Sequence, residues 1–258
     1  MGAELGNGPV LTPASGMRID WLDEIDSTNE EAKRRALAGE AGPVWLAAKR
    51  QSAGRGRRGR EWTGLNGNLF ATGLYTLKDD PARAAQLSFA AALAVAQVCE
   101  RVIDRERVKV KWPNDVLVDG RKISGILLES GRAPSGDLWL AVGIGINLVA
   151  HPADAERPAT NFKVCGAEMD RDTALDQLAA AFEAWRNSWQ VAGFAPLRDA
   201  WIARAYGIGE RCQARLQDET VEGVFADLAV DGSLRLDLPD GRRRLISAGD
   251  VFFPGEVR

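Results

Sequence analysis

Between residues 108 and 149 the chain carries four runs of strand-forming residues, at 108–112, 115–118, 122–130 and 137–149, with no room between them for helices. A parallel pair needs a crossover of about a dozen residues or more, so these runs must pair mostly antiparallel. Asp119-Gly120 stands between the second and third runs, the signature of a two-residue hairpin turn with positive φ at both central positions.

The flanking segments add helices. Ser27-Thr28-Asn29-Glu30 has the spelling of a capping box between Ser27 and Glu30, predicting a helix start near Ser27 that Gly39 stops. Residues 44–49 and 69–76 read as strands, and residues 81–103 as one long buried helix with Pro81 in its first turn. Helical periodicity returns at 173–192 and 196–206. After Gly207 short alternating strands are broken by Asp218-Glu219, Asp231-Gly232 and Asp240-Gly241, which predicts a small β-barrel over residues 208–258. The class is therefore α+β, a mixed, mostly antiparallel sheet with helices, followed by an all-β appendage. The first sixteen residues read as a flexible tail too short for a DNA-binding module, and Met17 is an alternative start.

Composition narrows the chemistry. With 45% hydrophobic residues, eight Trp and eight Phe in 258 residues, the chain can build a core without metal or disulfide staples. Its 33 basic and 36 acidic residues give a net charge of −3, so nucleic-acid binding would have to rest on a local patch. Cys99, Cys165 and Cys212 are far apart with no C-x-x-C, which points away from disulfides and zinc and toward a reducing cytoplasm. The most apolar stretch, 84–99, is interrupted by Gln86, Ser88 and Gln97, and no export signal or membrane span is expected. His151 is the one histidine, so histidine clusters are excluded, and a lone loop residue before Pro152 reads as solvated.

Residues 51–68 form a glycine-rich stretch between two strands, and loops of that length are usually lids or binding loops. Gly54-Arg55-Gly56-Arg57-Arg58-Gly59-Arg60 places four guanidiniums and three glycines in seven positions. Glycine lets backbone approach a ligand closely, and guanidinium forks match carboxylate and phosphate oxygens. The spelling satisfies G-x-G-x-x-G, but Glu61-Trp62-Thr63-Gly64 continues as loop where a dinucleotide fingerprint requires a helix. On these residues alone a solvated basic loop and an RNA-contacting module remain open.

Lys111-Trp112-Pro113-Asn114-Asp115 joins a cation, an amide and a carboxylate at a strand end, and Lys122 follows the hairpin ahead of Ile123-Ser124-Gly125-Ile126-Leu127. Lys109, Lys111 and Lys122 fall within fourteen positions of a chain that otherwise prefers arginine, which suggests that a point charge is wanted there, although Lys109 reads as an exposed strand residue. Gly143-Ile144-Gly145-Ile146-Asn147 closes a buried strand with small residues and one amide.

Taken together and in order, Asp26-Ser27-Thr28-Asn29, residues 51–60, residues 111–115, residues 122–127 and residues 143–147 resemble the biotin protein ligase family across residues 17 to about 207. The resemblance implies a class II aminoacyl-tRNA synthetase-like catalytic domain at 17–207 and an SH3-like C-terminal domain at 208–258. It implies that biotin and MgATP give biotinyl-5′-AMP, from which a lysine of a biotin carboxyl carrier protein takes the biotinyl group. Ser27, Thr28, Asn29, Gln51, Arg55, Gly56, Arg57, Lys122 and Gly125 are then the biotin-binding candidates, and Arg58, Arg60, Trp62, Asn114 and Asn147 lie toward ATP. Lys122 would bridge the biotin carboxylate and the α-phosphate, Arg57 would latch the loop, and Asp115 would orient the incoming lysine or a Mg²⁺ water. Trp62 suits the adenylate or the core equally, and Asp115 suits a turn carboxylate as well. No tightly bound cofactor is expected, no metal ligands are assigned, and homodimerisation stays open. Ala159-Thr160-Asn161-Phe162 matches the family only loosely, and the short N-terminal tail carries over no DNA-binding repressor role. A lipoate or octanoate attachment enzyme is the alternative within the same fold.

Overall fold

The structure, a computed structural model, describes residues 16–153 and 157–255; the expected tail lies outside the described residues except for Gly16. A seven-stranded sheet is built from β1 (Ile19–Ile25), β2 (Val44–Gln51), β3 (Leu69–Leu77), β4 (Val108–Lys111), β5 (Asp115–Val118), β6 (Arg121–Arg132) and β7 (Leu138–Ile146), in the order β1-β2-β3-β7-β6-β5-β4. The four central runs pair antiparallel as their spacing requires, with Asp119 and Gly120 at φ 51° and 72° in the β5–β6 turn.

β1 has no counterpart among the expectations, because Asp20, Asp23 and Glu24 mask its apolar alternation. It pairs parallel to β2 through the crossover helix α1 (Thr28–Leu37). The expected single helix over 81–103 is instead α2 (Pro81–Ala85) and α3 (Leu87–Cys99), separated at Gln86. The amide of Gln86 accepts from Trp189 Nε1 at 2.8 Å. This stretch is long and apolar enough to cross a membrane, but nearly all of α3 is buried in the core. α4 (Arg171–Ala192) and α5 (Ala195–Ile202) complete the helices.

Alternation along β2 shows how the two faces are filled. Trp45 and Ala47 join the large core with α3 and α4, where Trp45 meets Phe182 edge-on at 5.8 Å, whereas Val44 and Leu46 pack with Ala32 and Ala36 of α1. A sheet covered on both faces explains why β2, β3 and β7 read as nearly continuous apolar runs.

The C-terminal segment is an antiparallel sheet of β8 (Arg211–Arg215), β9 (Thr220–Leu228), β10 (Leu234–Asp237), β11 (Arg243–Ile246) and β12 (Asp250–Phe252), ordered β11-β10-β9-β8-β12. β11 and β12 are its two edges, and this five-stranded antiparallel sheet is consistent with the small SH3-like barrel expected after Gly207. It is joined to the larger sheet by aromatic packing and a buried hydrogen bond: Trp201 of α5 lies 6.4 Å from Phe225 of β9, and Trp112 Nε1 donates to Gly232 O at 3.1 Å.

Candidate active site

With ten residues, α1 covers only part of its face of the sheet. Beyond its N-terminus the floor is glycine: Gly125 of β6 sits directly opposite Gly145 of β7, with Gly143 on the same face two residues away. The space is specific, because the indole of Trp62 lies across it. A Cβ on Gly145 would fall 2.3 Å from Trp62 Cε2, and one on Gly125 2.8 Å from Trp62 Cζ3. A Cβ on Gly143 would strike Asn29 Oδ1 at 2.2 Å.

One wall is polar and wired together. Ser27 is the N-cap of α1, yet its hydroxyl caps nothing, so the expected capping box does not form. Instead the Thr28 N–H and hydroxyl both donate to Gln51 Oε1, at 2.8 and 3.1 Å, tying the helix start to β2. Thr72 Oγ1 lies 2.8 Å from Thr28 Oγ1 and 2.7 Å from Asn29 Oδ1, and Asn29 Nδ2 donates to Leu127 O at 3.2 Å and Glu129 Oε2 at 2.8 Å. Gln51 thus commits its carbonyl to the helix, leaving its NH₂ as the group that can donate elsewhere.

The opposite wall is cationic. The arginine loop makes one 3₁₀ turn at Arg57–Gly59, with Arg58 in the left-handed region at φ 55°. Arg55 is held between Glu30 and Glu129. Arg57 donates to Asn114 Oδ1 at 3.2 Å and Gly249 O at 3.3 Å, and burial pulls its pKa below the ordinary arginine value, with Asp250 and Asp115 opposing that shift. Asp250, the first residue of β12, faces three guanidiniums: Arg60 at 2.6 Å, Arg58 at 3.3 Å and Arg57 at 3.7 Å. Burial alone would raise the Asp250 pKa; the Arg60 hydrogen bond and the charges of Arg60, Arg157 and Arg57 outweigh it and hold the carboxyl below its ordinary range.

Where the walls meet, Lys122 Nζ stands 2.6 Å from Asp115 Oδ1 and 5.5 Å from the centre of the Trp62 ring. Asp115 is buried and also accepts from Arg157 Nη1 at 3.2 Å, so it is a shared counter-ion for two cations and not a turn carboxylate bonding its own backbone. A second cavity adjoins the first, and Arg60, Glu61, Trp62, Lys122 and Arg157 border both.

Of the residues singled out in the sequence, Ser27, Thr28, Asn29, Gln51, Arg55, Gly56, Arg57, Arg60, Trp62, Asn114, Asp115, Lys122 and Gly125 line the first cavity. Asn147 borders only the second, with its Nδ2 donating to Thr160 O at 3.0 Å. Arg58 lines neither and turns to Asp250. Lys111 is buried beneath Tyr206 and Phe253, 5.8 and 5.4 Å from their ring centres. His151 is half-buried, with Nδ1 2.8 Å from Asn161 Nδ2, which corrects the expectation of a solvated ring. Sequence reasoning missed Thr72, Glu129, Arg157 and Asp250. Nothing local to those residues signals a site, because each matters only through partners distant in the chain. Among the described residues no cluster of three or more His, Cys, Asp or Glu could hold a metal.

A model of the biotin/lipoate A/B protein ligase family matches residues 21–147, and one of the biotin protein ligase C-terminal domain matches residues 207–253. The biotin–[acetyl-CoA-carboxylase] ligase of Paracoccus denitrificans is 42% identical over 241 residues, covering 91% of this chain and 100% of that protein. The biotin protein ligase of Aquifex aeolicus in complex with biotin and ATP superposes with a TM-score of 0.75 at 26% identity, over 91% of this chain and 97% of that one. The Leishmania major enzyme in complex with biotinyl-5-AMP gives 0.61 at 27% identity, over 89% and 98%.

A glycine-floored cavity on a mixed sheet, walled by fixed cations and matched by these proteins, defines a ligase of the adenylate-forming kind. The chain belongs to the biotin protein ligase family. It activates biotin with ATP and transfers it to a biotin-accepting protein; the lipoate alternative is not favoured.

Proposed function

We propose that the first cavity takes biotin, with its ureido ring toward Ser27, Thr28, Asn29 and Gln51, and its carboxylate toward Arg57 and Lys122. The observation that carries this reading is Lys122, an ammonium at the border of both cavities and held by Asp115 at 2.6 Å. A buried urea-like ring leaves polar atoms that need partners, and the α1 wall offers amides and hydroxyls for them. The second cavity, bordered by Trp62 and Asn147, takes the nucleotide. A biotin carboxylate oxygen attacks the α-phosphorus, the bond to the β-phosphate breaks, and pyrophosphate leaves. Charge on the α-phosphate is then met by preset donors in a site partly shielded from water. In the second step the neutral amine of the carrier lysine attacks the acyl carbon and AMP departs. Arg57 latches the loop over the intermediate, and Asp115 positions Lys122.

Mg²⁺ enters with ATP as part of the MgATP substrate, where phosphates and water supply most ligands. The acceptor is the biotin carboxyl carrier domain of an acetyl-CoA carboxylase or related carboxylase, modified in the cytoplasm. Residues 17–207 act as the catalytic domain, and 208–258 form the appended domain that supplies Asp250 to the arginine loop. Incubation of the full chain with biotin, MgATP and a carboxyl-carrier domain tests the reading by streptavidin blot. ATP-dependent labelling of the carrier is expected; labelling with lipoate or octanoate in place of biotin, or none at all, overturns it.

A further inference from the structure

Arg157, in the loop after β7, has surroundings unlike those of the arginine loop. Its Nη1 donates to Asp115 Oδ2 at 3.2 Å, and its guanidinium carbon lies 4.5 Å from the centre of the Phe252 ring of β12. Its other donor atoms, Nε and Nη2, are shut off from solvent and have no hydrogen-bond partner among the described residues. Burying donors of a charged group unmet is unfavourable, so the arrangement suits an acceptor that arrives with a ligand. Nε and Nη2 form one edge of the planar guanidinium, the edge that takes two oxygens of one phosphate side by side.

Its position says which phosphate. Arg157 borders both cavities, as do Lys122 and Trp62. A ligand that fills one cavity with a biotinyl group and the other with adenosine carries its single phosphate past this shared border. We propose that Arg157 is a substrate-binding residue that grips the phosphate of the adenylate through Nε and Nη2 while Nη1 stays on Asp115. The inference rests on the biotin-adenylating reading above. It also gives the shared carboxylate a purpose. Asp115 is buried, and a lone carboxylate there would resist the departure of Lys122. With Arg157 in place, Lys122 can turn to the phosphate without stranding the charge.

The test uses three ligands on the full chain: biotin, biotinol-5′-AMP (a stable phosphodiester in place of the mixed anhydride) and the uncharged methyl ester of that phosphodiester. By titration calorimetry Arg157→Met is expected to bind the phosphodiester at least about tenfold more weakly, the loss of charge-assisted hydrogen bonds to one anion. Biotin and the methyl ester should change by less than about threefold, and Arg157→Lys should recover only part of the loss, because an ammonium cannot fill a fork. Equal losses for all three ligands would mean a structural role, and no loss would mean no phosphate contact; either overturns the proposal. Should Arg157→Met fail to fold, Arg157→Gln takes its place with the same expectation. A wild-type chain that binds neither biotin nor the phosphodiester would sink the parent reading instead.

Discussion

At the scale of single residues, the arrangement asks most of Lys122 and of the glycines beneath Trp62. Lys122→Ala should slow adenylate formation by about a hundredfold or more while biotin affinity falls far less, because the charge is needed most as negative charge grows on the phosphate. Lys122→Arg should rescue poorly, since a planar fork replaces a compact ammonium paired with Asp115 at 2.6 Å. Pyrophosphate-release kinetics combined with biotin titration read both; a higher biotin KM with kcat intact would assign Lys122 to binding alone. Gly145→Ala puts a methyl where the indole of Trp62 already lies, 2.3 Å from Cε2. The variant should bind biotin at least about tenfold more weakly yet unfold within a few degrees of the wild type, because the indole sits beside a cavity into which it can be displaced. Unchanged affinity would show that Trp62 does not border the ligand. These residues were legible because the chemistry-bearing types stand in contiguous runs. Arg157 was not, since one more arginine in an arginine-rich chain gains meaning only from Asp115 and Phe252, which lie far from it in sequence.

At the scale of elements, the arginine loop is the part that the sequence marks most clearly and the structure reinterprets. Four like charges in seven residues predict a loop waiting for an anion, yet three of its guanidiniums already face Asp250. No periodicity or motif could announce that anchor, because Asp250 is a lone acid at the start of an edge strand. Arg57→Gly should still form the adenylate but release it faster, seen as a shorter intermediate lifetime and labelling of unrelated lysine-bearing proteins; wild-type retention would remove the latch. Asp250→Asn should loosen the same loop from the other side and lower stability by about 2 kcal/mol, the scale expected when a buried carboxylate is taken from its partners. Because the native pKa of Asp250 is depressed, its contribution is fully present above the ordinary carboxylate value near about 4 and fades as pH falls through the lower native value. The Tm difference between wild type and Asp250→Asn should therefore be constant from about pH 8 to 5 and shrink below about 4; a gap that instead widens in acid would contradict the assigned shift.

Across the whole molecule, the two sheets share one core. Phe89 of α3 stacks edge-on with Trp201 of α5 at 5.6 Å, Trp201 lies 6.4 Å from Phe225 of β9, and buried residues from both sheets join the larger cluster, apart from the smaller one beneath α1. Thermal unfolding followed by tryptophan fluorescence and by far-UV circular dichroism should show a single coincident transition; two separated transitions would show that the C-terminal sheet melts alone. The antiparallel core was legible because loop lengths forbid the alternative, whereas the join between the sheets was not, since it depends on aromatic residues that read simply as core. Asp250 also stands 190 residues after Arg60. A ribosome adding roughly 5 to 20 residues per second makes the loop some 10 to 40 seconds before it makes the anchor. Every new copy of the enzyme therefore passes through a stage in which Arg55 can already meet Glu30 and Glu129, and Arg57 can meet Asn114, while the carboxylate that gathers Arg57, Arg58 and Arg60 has yet to be made.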